Sequence, residues 1–494
     1  MSALQGRRLN LVFTGLLIGN TMAGLDATIV ATAGLSIQRD LGSIGSLASI
    51  FTAYQLAQIA TMPLYGKLGD LFGRRRIFGV AVAIFLFGSV LCGSAPTLAW
   101  LVIARIIQGA GAGGLTGLTM AIVADIVPAP RLNRYLGYTG LVFAVTSVLG
   151  PFLGGVFADQ LSWRWAFFVN LPSGAICFAA LAAVPHSDGH IRHRLDIVGA
   201  ALLAVVTTSV TLVSSWGGRT YRWSDPVIVG LAVAASVALV SFVQWEGRVE
   251  EPILPARIFV HREVTLAVVA NLIAGIGFFG GIVYLPVFFQ SVALHSAFGS
   301  GVLLIPFACS TAMGTFVVGQ VVERVGRGVR TFPIVGMVSM AAGFALLGLV
   351  SARTPVAWVV ACGLFVGVGI GFVMQVLLFV VQRATPERDR GTATAATILA
   401  RITGSVIGVA FAANVLNQRL AGELAARGSP VDPEALQGDA DSIRAFASPI
   451  RAQIVESYAA ALATTFRVFV PIMAVGLLVA ASLPRHIDRD RSNE

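Results

Sequence analysis

The sequence predicts an all-α protein that crosses a membrane many times. Three observations predict this fold class: the composition, the length of the apolar runs, and the distribution of basic residues between those runs. Of 494 residues, 56% are hydrophobic and only 12% are charged, whereas soluble domains carry about 25% charged residues. The net charge of +10 does not indicate a nucleic-acid partner, because the arginines fall between apolar runs instead of on one soluble face.

Fourteen apolar runs have the length of a membrane span, which is about 20 residues for a helix. An even number of spans places both termini on one side. That side carries 22 of the 34 Lys and Arg residues and the other side carries nine, so we expect both termini in the cytoplasm of a protein of the inner (plasma) membrane. The predicted spans, numbered 1 to 14, are 9–33, 46–66, 77–94, 97–122, 135–157, 165–184, 197–216, 227–245, 264–289, 298–322, 332–351, 355–381, 392–416 and 464–484.

An internal repeat relates the two ends of the chain. Gly66–Arg74 follows span 2, and its spacing of glycine, acid, glycine and arginine recurs after span 10 at Gly319, Glu323, Gly326 and Arg327. Two six-span halves separated by an extra pair of spans would produce this offset. Repeated halves are typical of transporters.

The repeat predicts three parts in the chain. These are a six-helix half at residues 1–190, two inserted transmembrane helices at 191–250, and a second six-helix half at 251–494. The second half contains a long external loop at 417–463, which is predicted either to form a short helical hairpin or to be an irregular surface loop.

Asp26 is the only carboxylate well inside a predicted span. Because an aspartate in hydrocarbon costs about 2.5–3.5 kcal/mol on insertion scales, such a residue is usually functional. By elimination we predict that Asp26 exchanges a proton with water. The alternative is an interfacial or structurally paired aspartate.

Arg105 in span 4 is the predicted partner of Asp26. Asp26 lies about 26 Å along span 1 and Arg105 about 12 Å into span 4, which runs in the opposite direction, so both lie at a comparable depth. Arginine does not lose its proton, and its role would be electrostatic. A structural ion pair between helices is an equally weighted interpretation. A second buried cation, Arg401, is predicted to reach the interface by snorkelling.

Aromatic, methionine and amide side chains within the spans predict a cavity that accepts substrates of many shapes. Core packing or contact with lipid is the alternative for each. No phosphate-binding loop is present, so ATP is not the expected energy source, and no cofactor or metal is predicted. The loosely spaced His186, His190 and His193 are interpreted as a solvated linker. The candidates for substrate binding are Asp26, Tyr54, Gln55, Gln58, Gln108, Asn271, Phe278, Phe279, Tyr284, Phe288, Phe289, Met374 and Gln375.

Two glycine-rich segments are predicted to act in conformational change. Segment 66–76 is predicted to be a tight turn between two spans and to act as a latch, with Asp70 as a helix cap or a partner of the arginines. Segment 150–155 combines a proline with three glycines and predicts a kinked, closely packed helix. Ordinary helix packing is the alternative. The predicted gating residues are Gly66, Gly69, Asp70, Gly73, Arg74, Gly150, Pro151, Gly154 and Gly155.

Five segments carry a resemblance to a known family: 25–30, 66–76, 105–111, 140–155 and 162–172. In that order they resemble a first-helix motif, a signature loop, a proton-linked motif, an antiporter motif, and the segment that leads into the sixth helix. All five are similar to motifs of the major facilitator superfamily, in its fourteen-helix drug:proton antiporter branch. The first motif departs from the family pattern, because Ala31 and Gly34-Leu35 replace its usual asparagine and proline.

The resemblance implies the major facilitator fold, with two six-helix halves plus two extra helices. It implies a transporter and not an enzyme, whose partners are small molecules, protons and membrane lipid, and we expect a monomer. Our hypothesis is proton-driven export of amphipathic, monocationic compounds by alternating access, with substrate and proton competing for Asp26. Two alternatives are an exporter or flippase of lipid or of a cell-made metabolite, without proton coupling at Asp26, and a non-transporting sensor or scaffold.

Overall fold

The computed structural model describes most of the chain, and every named element in the described part is a helix. The described residues are 7–41, 46–127, 138, 146, 149–150, 152–157, 160–181, 196–217, 221–249, 256–325, 329–386, 389–431, 436 and 440–484. The helices are α1 Arg7–Leu41, α2 Ser46–Phe72, α3 Arg74–Gly93, α4 Leu98–Ile126, α5 Trp165–Phe168, α6 Asn170–Leu181, α7 Ile197–Trp216, α8 Pro226–Glu246, α9 Ala256–Val260, α10 Arg262–Ser291, α11 Ala297–Val325, α12 Thr331–Leu347, α13 Val356–Ala384, α14 Arg390–Ala426, α15 Ala440–Arg444 and α16 Ser448–Ala481.

Within the described residues, nine helices are long and apolar enough to cross a membrane. Three shorter apolar helical segments lie at Trp165–Leu181, Val198–Val210 and Thr331–Leu347. The prediction of an all-helical, multi-pass protein is therefore confirmed. The count of fourteen spans stays a prediction, because most of the fifth predicted span, 135–157, lies outside the described residues.

The chain forms two compact units. Unit 1 comprises Met1–Val213 and Pro226–Arg257, and unit 2 comprises Ser214–Asp225 and Ile258–Glu494. In unit 1, α4 packs against α2 and α3, and α1 packs against α6. In unit 2, α10 packs against α14, and α13 packs against α11 and α12. The predicted division into three parts stays a prediction.

Glycines bring the central helices of unit 1 into backbone contact. A Cβ atom at Gly109 of α4 would overlap the backbone of Tyr54 of α2, and one at Gly113 would lie 2.6 Å from the carbonyl oxygen of Gln58. Because small residues let helices approach closely, α4 lies directly against α2 over this stretch.

The predicted turn at residues 66–76 is much longer than the turn in the structure. Helix α2 continues to Phe72 and α3 begins at Arg74, so only Gly73 is non-helical, with φ of 89°. That positive φ favours glycine, whereas Gly66 and Gly69 are tolerated inside α2. Arg74 donates from Nη1 to the carbonyl oxygen of Ala121 at 2.7 Å and so connects α3 to α4.

The predicted external loop at 417–463 is also shorter in the structure. Helix α14 continues to Ala426 and α16 begins at Ser448, with the five-residue α15 between them. Both flanking stretches are rich in residues of high helix propensity such as Ala, Leu, Glu, Gln and Arg. The helices therefore continue past the ends of the apolar runs from which the spans were predicted.

Candidate functional site

Asp26 and Arg105 form a fully buried ion pair in unit 1. Arg105 of α4 donates from Nη1 to Oδ2 of Asp26 on α1, and both side chains have 0% exposure. The sequence predicts Asp26 and Arg105 at a comparable depth in spans 1 and 4, and in the structure their side chains are in contact. Three other ion pairs of the described residues are all partly exposed: Arg164–Asp40, Arg427–Glu423 and Arg427–Glu456.

Two amide groups donate to the other oxygen of Asp26. Gln108 donates from Nε2 to Oδ1 at 2.6 Å, and Asn170 donates from Nδ2 to the same atom at 3.2 Å. All three partners of the carboxylate are therefore N–H donors. Hydrogen bonds from a cation and from amides to an ionised carboxylate are charge-assisted and strong, so this geometry fits the ionised form of Asp26.

Gln108 and Ser89 close the network. Gln108 Oε1 accepts from Arg105 Nη1 at 2.7 Å and from the thiol of Cys92 at 3.4 Å. Ser89 Oγ accepts from Gln108 at 2.8 Å and from Asn170 at 3.2 Å. We call Asp26, Ser89, Arg105, Gln108 and Asn170 the carboxylate cage; it joins α1, α3, α4 and α6.

Aromatic rings enclose the guanidinium of Arg105. Its Cζ lies 4.1 Å from the ring centroid of Tyr54 and 5.7 Å from that of Phe167, and such contacts stabilise a cation. Tyr54 is itself fixed by a hydrogen bond from its hydroxyl to the carbonyl oxygen of Ala23 at 3.1 Å. The Nε and Nη2 atoms of Arg105 are buried and have no hydrogen-bond partner in the part of the chain that the structure describes.

Close helix contacts place these groups within reach of one another. A Cβ at Gly88 of α3 would lie 2.5 Å from the backbone nitrogen of Gln108, and one at Gly109 would overlap the backbone of Tyr54. Helices α3 and α2 therefore approach α4 at Gln108 and Gly109, directly beside Arg105. A Cβ at Gly150 would overlap the side chain of Thr28, so the fifth predicted span also contacts α1 near Asp26.

The candidates for substrate binding in unit 1 are all buried. Tyr54 and Gln108 contact Arg105, as described above. Gln55 is buried, and Gln58 donates from Nε2 to Thr116 at 3.1 Å. Their roles toward substrate stay predictions.

The candidates in unit 2 form a separate group. Tyr284 donates to the carbonyl oxygen of Val409 at 2.8 Å, and Phe278 stacks on Phe307 with ring centroids 6.5 Å apart. Asn271 is buried, and its Oδ1 has no hydrogen-bond partner among the described residues. Phe288 and Phe289 are buried, Met374 and Gln375 are partly buried, and the side chain of Phe279 lies outside the described residues. Substrate roles here are likewise predictions.

The predicted gating residues are only partly described. Gly150, Gly154 and Gly155 are buried, while Pro151 and the side chain of Asp70 lie outside the described residues. His186, His190 and His193 also lie outside them, and the described part of the chain contains no group of three potential metal ligands. The other two in-span arginines differ from Arg105: Arg467 donates from Nε to the carbonyl oxygen of Gly348 at 2.6 Å, and Arg401 is partly buried.

Sequence reasoning missed Ser89, Cys92 and Asn170 as members of this site. A serine and a cysteine in an apolar helix have no distinguishing signal. Asn170 had one, because it lies in segment 162–172, one of the motifs that carried the family resemblance.

A second polar cluster lies at the C-terminal end of α1, beyond the apolar run Leu9–Val30. Arg164 donates from Nη1 to Asp40 at 2.8 Å, and Trp163 donates from Nε1 to Asp40 at 2.9 Å. The hydrogen bond from Arg164, followed by that from Trp163, lowers the pKa of Asp40. Arg164 also donates to the carbonyl oxygen of Ala95 at 3.2 Å, so the cluster connects α1 to the segments that follow α3 and precede α5.

An all-helical, multi-pass fold with a buried ion pair between two spanning helices is typical of membrane transporters. The chain belongs to the Major Facilitator Superfamily, whose family model matches residues 16–409. This confirms the family that the sequence motifs predicted.

Relatives and a solved structure agree with this assignment. The chain is 36% identical over 481 residues to an uncharacterized MFS-type transporter of Mycobacterium tuberculosis, covering 96% of this chain and 69% of the relative. It is 33% identical over 418 residues to the multidrug transporter protein MdtP of Bacillus subtilis, covering 84% of this chain and 76% of the relative. The structure of the human organic anion transporter MFSD10 matches with a TM-score of 0.63 at 15% identity, covering 96% of this chain and 100% of that one, which shows the shared fold. A further relative, 34% identical over 434 residues, is the efflux pump FUS6 of Gibberella moniliformis, covering 85% of this chain and 76% of the relative. Together with MdtP, it supports efflux transport as the class of activity.

Proposed function

We propose that the protein is a proton-coupled multidrug efflux antiporter that exports amphipathic, cationic compounds, with both termini in the cytoplasm. The observation that carries the proposal is the carboxylate of Asp26, fully buried inside a membrane-spanning helix and compensated by Arg105. An ionisable group buried in a span is costly and marks an ion or substrate pathway.

Proton binding changes the charge balance of the carboxylate cage. When Asp26 is ionised, its charge offsets that of Arg105, which cannot lose its own proton. When Asp26 is protonated, the buried guanidinium loses its counter-ion. Because an uncompensated buried charge is strongly destabilising, protonation favours a conformation in which the cage is open.

A cationic substrate competes with the proton for the same carboxylate. Binding of either ligand lowers the apparent affinity for the other, and this linkage is reciprocal. Two ligands that compete for one site in two alternating conformations are exchanged across the membrane, which is antiport.

Asp26→Asn in proteoliposomes tests the proposal. We expect the variant to lose ethidium transport driven by an imposed pH gradient, because the amide cannot exchange a proton. Asp40→Asn is the matched control, since Asp40 lies on the same helix but is half exposed and outside the cage, and it should retain transport. Full proton-driven transport by Asp26→Asn would remove Asp26 from the mechanism.

One observation favours a second candidate, an exporter or flippase of lipid or of an endogenous metabolite without proton coupling at Asp26. Asp26 and Arg105 have 0% exposure, as a purely structural ion pair between helices would have. In that case a protonophore would leave transport unchanged, and ethidium would be a poor substrate in the same proteoliposomes.

A further inference from the structure

We propose that Asn170 is a positioning residue for proton exchange, which stabilises the ionised form of Asp26 and couples the protonation of α1 to movement of α6. This inference rests on the proposed function, because it assigns a role at the same carboxylate. It concerns a different helix from the ion pair.

The first step is the hydrogen-bond inventory of the cage. Oδ1 of Asp26 accepts two N–H groups, from Gln108 and Asn170, and Oδ2 accepts one, from Arg105. A protonated carboxyl group needs an acceptor for its O–H. Oε1 of Gln108, an amide oxygen of the cage, already accepts from Arg105 and Cys92. A proton on Asp26 would therefore lack an acceptor on Gln108, and it would weaken the hydrogen bonds from the three donors, because bonds to an ionised acceptor are the stronger ones.

The second step concerns the charged and titratable neighbours. Arg105 of α4, Tyr54 of α2 and Cys92 of α3 each interact electrostatically with Asp26. The contact from α6 is the neutral amide of Asn170. Asn170 thus favours the ionised carboxylate through a hydrogen bond alone, and this bond becomes weaker when Asp26 is protonated.

The third step is the position of Asn170 in the fold. Gln108 is on the same helix as Arg105, so its bond to Asp26 connects no additional helix. Asn170 is the first residue of α6, is 2% exposed, and is held by both Asp26 and Ser89. Loss of its bond to Asp26 would leave Asn170 with one hydrogen bond, to Ser89 of α3, and would weaken the attachment of that end of α6 to α1.

The opposite end of α6 is attached to α1 by contacts that do not depend on protonation. A Cβ at Gly15 would overlap Ala180, and the thiol of Cys177 donates to the carbonyl oxygen of Gly15 at 3.4 Å. Helix α6 is therefore fixed to α1 at one end and joined to it by a protonation-dependent hydrogen bond at the other. This geometry makes the end that carries Asn170 the one that moves.

The experiment measures the pH dependence of ethidium transport by reconstituted protein. Asn170→Leu removes the donor at similar size, and we expect the pH of half-maximal proton-coupled transport to rise by about one unit, as for loss of one hydrogen bond to an ionised group. Asn170→Asp keeps the shape but adds a negative charge, and its shift should be larger. Asn170→Ser retains a donor, and its shift should be smaller. A structural role alone would not produce this order.

Two further variants keep the test decisive if Asn170→Leu does not fold. Ser89→Ala removes the second partner of Asn170 and should give a smaller shift in the same direction. Asn414→Leu is the matched control: this buried asparagine of unit 2 donates to the carbonyl oxygen of Gly217 at 2.9 Å, and its replacement should leave the pH midpoint unchanged.

The outcomes separate this inference from the proposed function. Unchanged pH midpoints in Asn170→Leu, Asn170→Asp and Ser89→Ala would overturn the role of Asn170. If Asp26→Asn nevertheless loses proton-driven transport, the proposed function stands without it. If Asp26→Asn retains proton-driven transport, the proposed function itself fails.

Discussion

The two units contain the same glycine arrangement around different side chains. In unit 1, Gly109 and Gly113 of α4 lie against the backbone of Tyr54 and Gln58 of α2. Each pair is spaced by four residues, which is one helical turn. The two helices are therefore in backbone contact over a full turn.

Unit 2 repeats this contact between α13 and α11. Gly367 and Gly371, again four residues apart, lie against Phe307 and Thr311. Phe307 and Thr311 follow Tyr54 and Gln58 by the same 253 residues that separate Gly319 from Gly66 in the sequence repeat. The structure therefore extends the repeat from one loop motif to the packing of the helices.

The side chains next to these glycines differ between the units. Arg105 lies four residues before Gly109, whereas Gly363 lies four residues before Gly367. Gln108 of the carboxylate cage corresponds in the same way to Val366.

The neighbouring helices show the same replacement of polar by apolar groups. Ser89 of the cage follows Gly88, which contacts α4, and Phe344 follows Gly343, which contacts α13. Phe344 stacks on Phe469 with centroids 4.8 Å apart. Glycines at corresponding positions thus produce the same helix contacts in both units. The few polar side chains beside them in unit 1 determine that this unit holds the buried ion pair.

The largest expected effect comes from removing the cation of unit 1. Arg105→Met leaves the carboxylate of Asp26 buried without a counter-ion, and breaking a buried pair in this way costs about 3–5 kcal/mol. Arg467→Met in unit 2 removes a donor to the neutral carbonyl of Gly348 and should destabilise less. Thermal unfolding midpoints in detergent measure both.

The double variant Asp26→Asn/Arg105→Met is the control for the charge. It should recover part of the stability that Arg105→Met loses, since no uncompensated charge remains. If Arg105→Met and Arg467→Met lowered the unfolding midpoint equally, the buried ion pair would not distinguish the stability of unit 1 from that of unit 2.

A smaller effect tests what the units share. Gly109→Ala and Gly367→Ala each place a methyl group into the backbone of a neighbouring helix, and overpacking of this kind costs about 1–3 kcal/mol. Both variants should lower the unfolding midpoint by similar amounts.

The repeat supplies matched controls for this prediction. Gly66 and Gly319 are helical, and a Cβ at either would meet nothing within 4 Å. Because alanine has the higher helix propensity, Gly66→Ala and Gly319→Ala should be neutral or slightly stabilising. A loss confined to one unit would contradict the shared packing.

The smallest effect concerns the pH dependence of Asp40 in unit 1. Arg164 and Trp163 hold the pKa of Asp40 below its ordinary value in the folded state. Its contribution to stability is therefore fully present above the unfolded-state value, and it is lost as the pH falls through the folded-state pKa. The unfolding midpoints of wild type and Asp40→Asn should differ slightly at neutral pH and converge in strong acid.

Unit 2 offers a contrasting contact without a titrating acceptor. Arg330 donates from Nη1 to the carbonyl oxygens of Ala481 and Leu483, each at 3.3 Å. The difference between wild type and Arg330→Met should therefore stay constant over the same acid range. If the midpoint difference for Arg330→Met changed with pH as much as that for Asp40→Asn, titration of Asp40 could not be the cause of the change.

The sequence predicted those features that depend on composition or on position along a helix. The all-helical membrane fold followed from composition, and the pairing of Asp26 with Arg105 followed from their depths. Ser89 carried no signal, because it lies 63 residues from Asp26 and joins the cage only through Gln108 and Asn170. Asn170 lay in motif 162–172, but its contact with Asp26, 144 residues away, arises only from helix packing. The ends of α14 and α16 were missed because hydropathy marks where a helix crosses a membrane and not where it stops.

The unpartnered edge of Arg105 affects the energetics of the whole site. Within the described residues Nε and Nη2 are buried without acceptors, and each unsatisfied donor costs about 1–3 kcal/mol. Any movement that admits water to this edge recovers that free energy. Hydration of Nε and Nη2 would therefore stabilise an open carboxylate cage. It would offset part of the free energy needed to open the cage after Asp26 binds a proton.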